Sequence, residues 1–426
     1  MRELVYTRDP TLQDGAAMRK GFLLFSVLTV CCGSAVAQEQ TPSTGIVLTQ
    51  GTSSPPLALS SSAANSGCLN SWASADALFF WVSHAPLPPT LTTFAAGSPS
   101  ATTGFGGQIG VPGTAVISPS QFNYGTFTGA RLALGTWIDP EQRFGVEASG
   151  FFLDTQSSGF AVRSDGTPPL RVPFINPTPA SGFPVGNSSF VLADPGFASG
   201  QQGISTSLHF WGAEGNVLFQ PINTPTTKVS MLAGFRYIDL QENMDIFNNE
   251  NFAGVSFGAL DSFATRNQFY GGQVGAKVQR QFGRFDGTLI GKVALGDNHE
   301  TLRIGGTSFG TLGATAGVPT LGGIYAEPSN IGTHDRNHFC VVPDVQLQVG
   351  MQITSRLRAF AGYQFMYMSS VLRPGNQIDP AINFTQSAGV TTNPNTTLVG
   401  APRPVPLFNS SDFWAHGINV GVQLKF

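Results

Sequence analysis

The sequence predicts an all-β protein, built as a single antiparallel, up-and-down transmembrane β-barrel of about ten strands with long external loops. Only 11% of its 426 residues are charged, against roughly 25% in soluble globular proteins. Apolar and polar side chains alternate along repeated segments, which is typical of strands with one buried face. Long and short connections also alternate along the chain. Twelve strands are the alternative count.

The clearest of these segments is residues 339–374, which predicts two amphipathic strands joined by a tight turn. The first arm alternates Val345, Leu347 and Val349 with polar neighbours, and the second arm begins a new apolar row at Leu357. Each arm can supply the roughly 9–11 residues that a tilted strand needs to cross a bilayer. This segment therefore predicts a transmembrane β-hairpin.

The N-terminal region is interpreted as a signal peptide followed by a flexible segment. Residues 18–37 have a positive start, an apolar stretch and small residues before a cleavage site near Ala37, as in a signal peptide. Residues 1–17 precede it and are interpreted as a mis-called start. Residues 38–70, rich in Ser, Thr, Ala and Pro, are predicted to be flexible. The barrel is expected to occupy residues 71–426.

The remaining strands follow in order and show the same alternation. The predicted strands cover about 71–83, 122–138, 143–154, 204–219, 228–243, 261–281, 284–304, the two arms of 339–374, and a last strand ending at Phe426. Five long connections, including residues 244–260, alternate with four short ones. Outer-membrane barrels have short periplasmic turns and longer external loops. Ten strands then place both termini in the periplasm.

Two cysteines, Cys68 and Cys340, remain after the predicted signal peptide. Cys68 precedes the first strand and Cys340 begins the eighth at its outer end, so they lie at opposite ends of the predicted barrel. Those ends are separated by about 25 Å or more, whereas a disulfide tolerates Cα separations of about 7 Å at most. The two cysteines are therefore not expected to be bonded.

Charged residues within the strands are expected to point into the barrel, because a Lys or Arg facing lipid at mid-bilayer costs roughly 2–4 kcal/mol. The candidate lumen-lining residues are Arg131, Glu147, Glu214, Arg236, Glu242, Lys277, Lys292, Asp344 and Arg358. The two signs nearly balance. A barrel of about eight strands is filled by side chains, so a salt-bridged structural core competes here with the lining of a narrow ion-selective pore.

Composition and motifs argue against several other classes of protein. The net charge of −3 and the lack of a basic surplus give no indication of nucleic-acid binding. No Ser/His/Asp or Cys/His arrangement stands out, so no enzyme activity is expected. His334, Asp335 and His338 lack a third metal ligand at useful spacing and favour a solvated loop. No cofactor is expected.

Several segments resemble the planctomycetal family of outer-membrane β-barrel porins known as the beta-barrel porin-7 family. The matching segments are residues 234–242, 266–272, 291–296, 342–344, 362–379 and 413–419, and 373–379 is the most specific. The resemblance runs from about residue 72 to Phe426, although Asp344 stands where Glu is expected. It implies a porin and brings no catalytic or binding residues.

The sequence thus predicts an outer-membrane protein, exported with a cleaved signal peptide, that acts as a narrow porin for passive passage of small polar solutes or ions. The alternative is a side-chain-filled barrel with a structural or surface-adhesive role through its large loops. Its expected partners are outer-membrane lipid, small solutes and the outer-membrane assembly machinery. The last strand, with its terminal Phe426, resembles the recognition signal of that machinery.

Overall fold

The computed structural model describes residues 70–98, 101, 106–312, 315–387 and 397–426. The predicted start, signal peptide and flexible segment, together with Cys68, lie outside the described residues. Among the described residues, no helix combines the length and the apolar character needed to cross a bilayer.

Ten antiparallel strands form a closed ring, which confirms the predicted up-and-down barrel. They are β1 Ser71–Val82, β2 Phe127–Trp137, β3 Phe144–Ser164, β4 Ala198–Asn223, β5 Thr227–Phe252, β6 Val255–Phe282, β7 Phe285–Leu312, β8 Gly332–Gln352, β9 Leu357–Leu372 and β10 Ser410–Lys425. Each strand pairs with its neighbours in chain order, and β1 closes the ring against β10, where Leu78 pairs with Asn419. Closure pairs every strand of the ring on both sides over its turn-end part, as a strand-built membrane protein requires, whereas β8 before Asp344 pairs with β7 only.

The two faces of the strands differ as the sequence predicts. On β8, Val345, Leu347 and Val349 are 45%, 55% and 66% exposed on the outside, whereas Asp344 and Gln346 are only 2% and 6% exposed. Outward aromatic rings border this apolar band, including a contact series of Trp211, Tyr237 and Tyr270 with centroids 5.0–5.1 Å apart. Such belts are typical of the membrane–water interface.

One end of the barrel carries only short connections, between β2 and β3, β4 and β5, β6 and β7, and β8 and β9. We call it the turn end and the opposite end the loop end. The prediction of a loop at residues 244–260 is wrong. There β5 and β6 continue and meet at Ala253 and Gly254, with φ of 47° and 82°, in a two-residue hairpin turn.

The strands reach far beyond the membrane on this side. Strands β6 and β7 have 28 residues each, about 90 Å of extended chain at roughly 3.3 Å per residue. The bilayer core is about 30 Å thick. This extension was not predicted because residues 243–251 are rich in Asn and Asp, which are poor strand formers. Met244 and Ile246 nevertheless point inward there, as in the rest of the strand.

The loop-end connections fold against these extended strands and form what we call the outer body: the described residues of 83–126, 165–197, 315–331 and 373–409. Its short strands are Ala85–Pro86, Thr92–Phe94, Thr114–Val116, Gln121–Phe122, Leu170–Asn176, Gly186–Ala193, Thr315–Ala316 and Thr320–Leu321, and its 3-10 turns are Pro179–Ser181, Pro374–Gln377 and Phe384–Gln386. Its buried side chains include Leu91, Leu170, Val172, Phe174, Leu192, Ile324, Tyr325, Ile382 and Phe384. The connections are therefore well packed, and their buried side chains share one hydrophobic core with the loop-end part of the barrel.

Candidate functional site in the barrel lumen

A group of four charged residues spans the lumen near its middle, and we call it the charged layer: Glu214, Arg236, Lys292 and Asp344. They come from β4, β5, β7 and β8 and all point inward because alternate residues of a strand share a face. The Arg236 guanidinium lies 2.5 Å from Glu214 and 2.9 Å from Asp344. The Lys292 ammonium lies 2.7 Å from Glu214 and 3.5 Å from Asp344. Two cations thus share two carboxylates.

Polar side chains from strands on the other side of the ring lie at the same height as the charged layer. Arg131 on β2 donates to the amide oxygen of Gln364 and, over 3.1 Å, to that of Gln346. It also lies 3.8 Å from the Asp76 carboxylate of β1, which accepts a 2.9 Å hydrogen bond from Asn419. Polar side chains therefore meet across the lumen, and buried charges here are both paired and hydrogen-bonded.

Toward the turn end, the lumen contains a cavity of about 170 Å³, which we call the turn-end cavity. The charged layer bounds it on one side. Lys228, Lys277 and Lys425 line it nearer the strand ends, together with Arg358. The Arg358 guanidinium is bound by Asp286 at 2.6 and 2.8 Å. This part of the lumen is polar and holds space for solvent.

Toward the loop end, the lumen is filled by apolar side chains from all ten strands, which we call the apolar layer. Its members are Leu78, Phe80, Phe127, Leu153, Leu208, Phe210, Ile238, Leu240, Phe269, Ala294, Cys340, Val342, Met366, Met368, Phe413 and Ala415. Each is at most 3% exposed. Phe210 packs between Phe151 and Phe413, with ring centroids 5.2 and 5.4 Å away. A continuous water column would leave these inward side chains accessible, so the lumen is closed at this level.

A buried salt bridge lies against the apolar layer on its loop-end side. Arg373, just after β9, donates to both carboxylate oxygens of Glu242 at 2.5 and 2.9 Å, and its guanidinium lies 5.4 Å from the centre of the Phe413 ring. Tyr124 donates to Glu242 at 2.6 Å, and Arg373 donates to Ser83 at 3.1 Å. This Arg373 cluster therefore ties β5 to the β1–β2 and β9–β10 connections.

The nine sequence-predicted residues fall into two groups. Eight line the turn-end cavity: Arg131, Glu147, Glu214, Arg236, Lys277, Lys292, Asp344 and Arg358. Glu242 points inward as well but lies in the Arg373 cluster, where it is fully buried. The nearly balanced charges predicted from the sequence thus do not form one continuous lining.

His334, Asp335 and His338 lie on the extended part of β8 and not in the predicted loop. His334 Nε2 is 3.0 Å from the carbonyl oxygen of Asn330, and Asp335 is 4.0 Å from His299. Within the described ranges, no group of three or more His, Cys, Asp or Glu side chains is arranged to hold a metal ion.

The family model described as "Putative beta barrel porin-7 (BBP7)" matches residues 72–426. The chain belongs to this family. Membership in a barrel porin family and the apolar outer band agree with an outer-membrane location. No curated protein matches the BBP7 chain.

Two solved structures are similar to this chain at low identity. The outer membrane protease OmpT from Escherichia coli is 8% identical, with a TM-score of 0.40 over 84% of this chain and 97% of that chain. A Pseudomonas aeruginosa FadL homologue is 8% identical, with a TM-score of 0.21 over 84% and 90%. At TM-scores below 0.5, these similarities support no conclusion about function.

Four of the segments that carry the BBP7 resemblance, 234–242, 266–272, 362–379 and 413–419, meet around the Arg373 cluster, which sequence reasoning missed. Asn267 donates to the carbonyl oxygen of Leu372 at 2.9 Å and accepts from its backbone N–H at 2.7 Å, which fixes the chain beside Arg373. Asp379 binds Arg403 at 3.0 Å. The family-specific segment 373–379 was the only sequence feature that pointed to this cluster, because the partners of Arg373 are distant in sequence.

Buried carboxylates of the outer body also escaped prediction. Asp261, on the extended part of β6, accepts backbone hydrogen bonds from Ile324, Tyr325 and Ala326 at 2.7–2.9 Å. Burial raises the pKa of nearby Glu327 to about 8, so this side chain is mostly neutral at pH 7. These residues hold the β7–β8 connection against the barrel wall, and burial also raises the pKa of Asp261, to about 7.

Proposed function

We propose that this BBP7 protein is a side-chain-filled outer-membrane barrel that serves a structural or surface-adhesive role through its outer body. The apolar layer is the observation that carries the proposal. An aqueous pore needs polar or at least accessible walls, and here all ten strands contribute buried apolar side chains to one level. A filled lumen is also the expectation for a barrel with only slightly more than eight strands.

The outer body supports the second half of the proposal because it is built as a stable surface. Phe174 and Phe183 from the β3–β4 connection pack with Phe384 from the β9–β10 connection, with ring centroids 4.8–5.5 Å apart. Tyr325 donates to the carbonyl oxygen of Pro173 over 3.0 Å. Trimming residues 160–195 would therefore remove core and not merely surface.

Substitutions on the outer body test this role. Val185, Val318 and Leu321 are 61%, 85% and 62% exposed outside the membrane band, so another surface could reach these apolar side chains. We expect a triple change of these residues to Ser to lower surface attachment of cells while the barrel remains folded. Attachment is compared with that of wild type and of Arg284→Gln, an exposed turn-end control. Unchanged attachment by the triple variant would count against a surface role.

A narrow porin is the second candidate function. Family membership and the polar turn-end cavity favour it. In this case solutes would enter from the turn end and could pass only if the apolar layer and the Arg373 cluster moved aside. The electrical measurement in the Discussion separates the two candidates.

The partners expected from the sequence remain part of this proposal. Outward apolar side chains such as Leu347 and Val420 are about half exposed and would contact lipid. The C-terminal strand would engage the assembly machinery, and its terminal Phe426 is an exposed ring next to the start of β1, whose Ser71 exchanges backbone hydrogen bonds with it.

A further inference from the structure

Lysine has an unusual distribution in this protein. After Lys20, the sequence contains only Lys228, Lys277, Lys292 and Lys425, and all four line the turn-end cavity. They come from β5, β6, β7 and β10, so they approach the cavity from both sides of the ring. The protein therefore concentrates this residue type around one cavity, where Lys228 and Lys277 are half-buried and Lys425 is exposed.

The charges that face the cavity do not balance. Its lining contains seven cationic residues, Arg131, Lys228, Arg236, Lys277, Lys292, Arg358 and Lys425, and four acidic ones, Asp76, Glu147, Glu214 and Asp344. The excess is three positive charges, or two if Asp286 behind Arg358 is included. This surplus occurs in a chain whose net charge is −3, so it is a local property of the cavity.

Three of the lysines carry the surplus. In the part of the chain that the structure describes, Lys228, Lys277 and Lys425 have no carboxylate oxygen within 4.0 Å. Lys228 and Lys277 repel each other, and Lys425 is repelled by both. Like charges in a confined, partly desolvated space raise the energy of the empty site and favour a bound anion.

The uncharged lining suits such a ligand as well. Gln220, Gln279, Gln348 and Gln423 surround the lysines, and their amide N–H groups can donate to oxygen atoms. Lysine ammonium groups bind phosphate and carboxylate oxygens as mobile point charges. A volume of about 170 Å³ admits a small anion and excludes a folded partner.

We propose that the turn-end cavity binds a small soluble anion that carries at least two negative charges on phosphoryl or carboxylate groups. This site goes beyond the surface role proposed above and exists whether or not the barrel conducts. Binding involves no covalent step. The ligand neutralises Lys228, Lys277 and Lys425 while the paired charges of the charged layer stay in place.

The lysine distribution makes the test direct. Folded full-length protein in zwitterionic detergent is treated with a water-soluble amine-reactive reagent, with and without inorganic pyrophosphate, and the modified lysines are identified by mass spectrometry. We expect saturating pyrophosphate to slow modification of Lys228, Lys277 and Lys425 about tenfold. In Lys277→Gln the pyrophosphate concentration needed for half protection should rise about tenfold, equal to about 1.4 kcal/mol. Arg284→Gln, an exposed charge change at the same end, should leave it unchanged.

Three outcomes would overturn the proposal. The first is equal modification with and without pyrophosphate, and the second is equal protection by sodium chloride at matched ionic strength, which would indicate screening alone. The third is protection only by phosphatidylglycerol added to the micelles, which would indicate a lipid headgroup instead of a soluble anion. Retention of heat-resistant electrophoretic mobility by Lys277→Gln verifies that the variant is folded.

Discussion

Replacing Arg373 with methionine is expected to lower the free energy of unfolding by about 3–5 kcal/mol, the usual cost of removing one partner from a buried ion pair. Arg373 and Glu242 are 1% and 0% exposed. The substitution keeps an unbranched apolar stem but leaves the Glu242 carboxylate buried, and among the described residues only the Tyr124 hydroxyl still donates to it. Urea unfolding in detergent, followed by tryptophan fluorescence, measures the change.

Two further variants separate the ion pair from a general effect of removing an arginine. Arg303→Met alters an exposed side chain on β7 and should change stability by about 0.5 kcal/mol or less. Adding Glu242→Gln to Arg373→Met removes the unpaired carboxylate charge and should recover part of the lost free energy of unfolding. If Arg373→Met were no less stable than Arg303→Met, the proposed importance of this cluster would be wrong.

In planar bilayers, the wild-type protein is expected to give flat current traces, because the apolar layer leaves no aqueous path for ions. The positive control is a variant with Phe151, Phe210 and Phe413 changed to Ala, which removes three rings that pack on one another. If this variant folds, it should show stepwise currents. The single change Phe210→Ala, expected to cost about 3–5 kcal/mol, reports the packing of the layer independently of conduction.

The current traces also decide between the two candidate functions. Reproducible wild-type steps that change size in Lys292→Glu or Arg358→Glu would contradict the filled barrel and favour the porin. Both substituted residues line the turn-end cavity, so their charge would act on ions approaching through it. Because channel recordings detect single molecules, purity is checked by repeating them with mock-purified membrane extract.

The sequence predicted the membrane part of the fold better than the rest, for a physical reason. On β8, lipid outside and a polar filling inside force a strict alternation, as at Val345 and Gln346. On β4, Leu208 and Phe210 point inward while Val217 and Phe219 point outward, so both faces are apolar and the alternation is blurred. The apolar layer was therefore missed, although its residues are plainly present in the sequence.

The candidate site was only partly predictable. The cost of placing charge in lipid was enough to predict which residues face inward, including Lys292 and Asp344. It could not show that Glu242 would pair with Arg373, which follows it by 131 residues and lies beyond the end of β9. Such pairings depend on how the loop-end connections fold back into the barrel, and a local pattern carries no information about that.

The native thiol of Cys340 offers the most direct measurement of whether the lumen is closed. Cys340 points inward from β8 within the apolar layer, unbonded and fully buried. In a Cys68→Ser background, a small water-soluble methanethiosulfonate reagent should leave Cys340 unmodified in the folded barrel and modify it completely after denaturation. Labelling of the folded barrel as fast as the denatured chain would contradict the closed lumen.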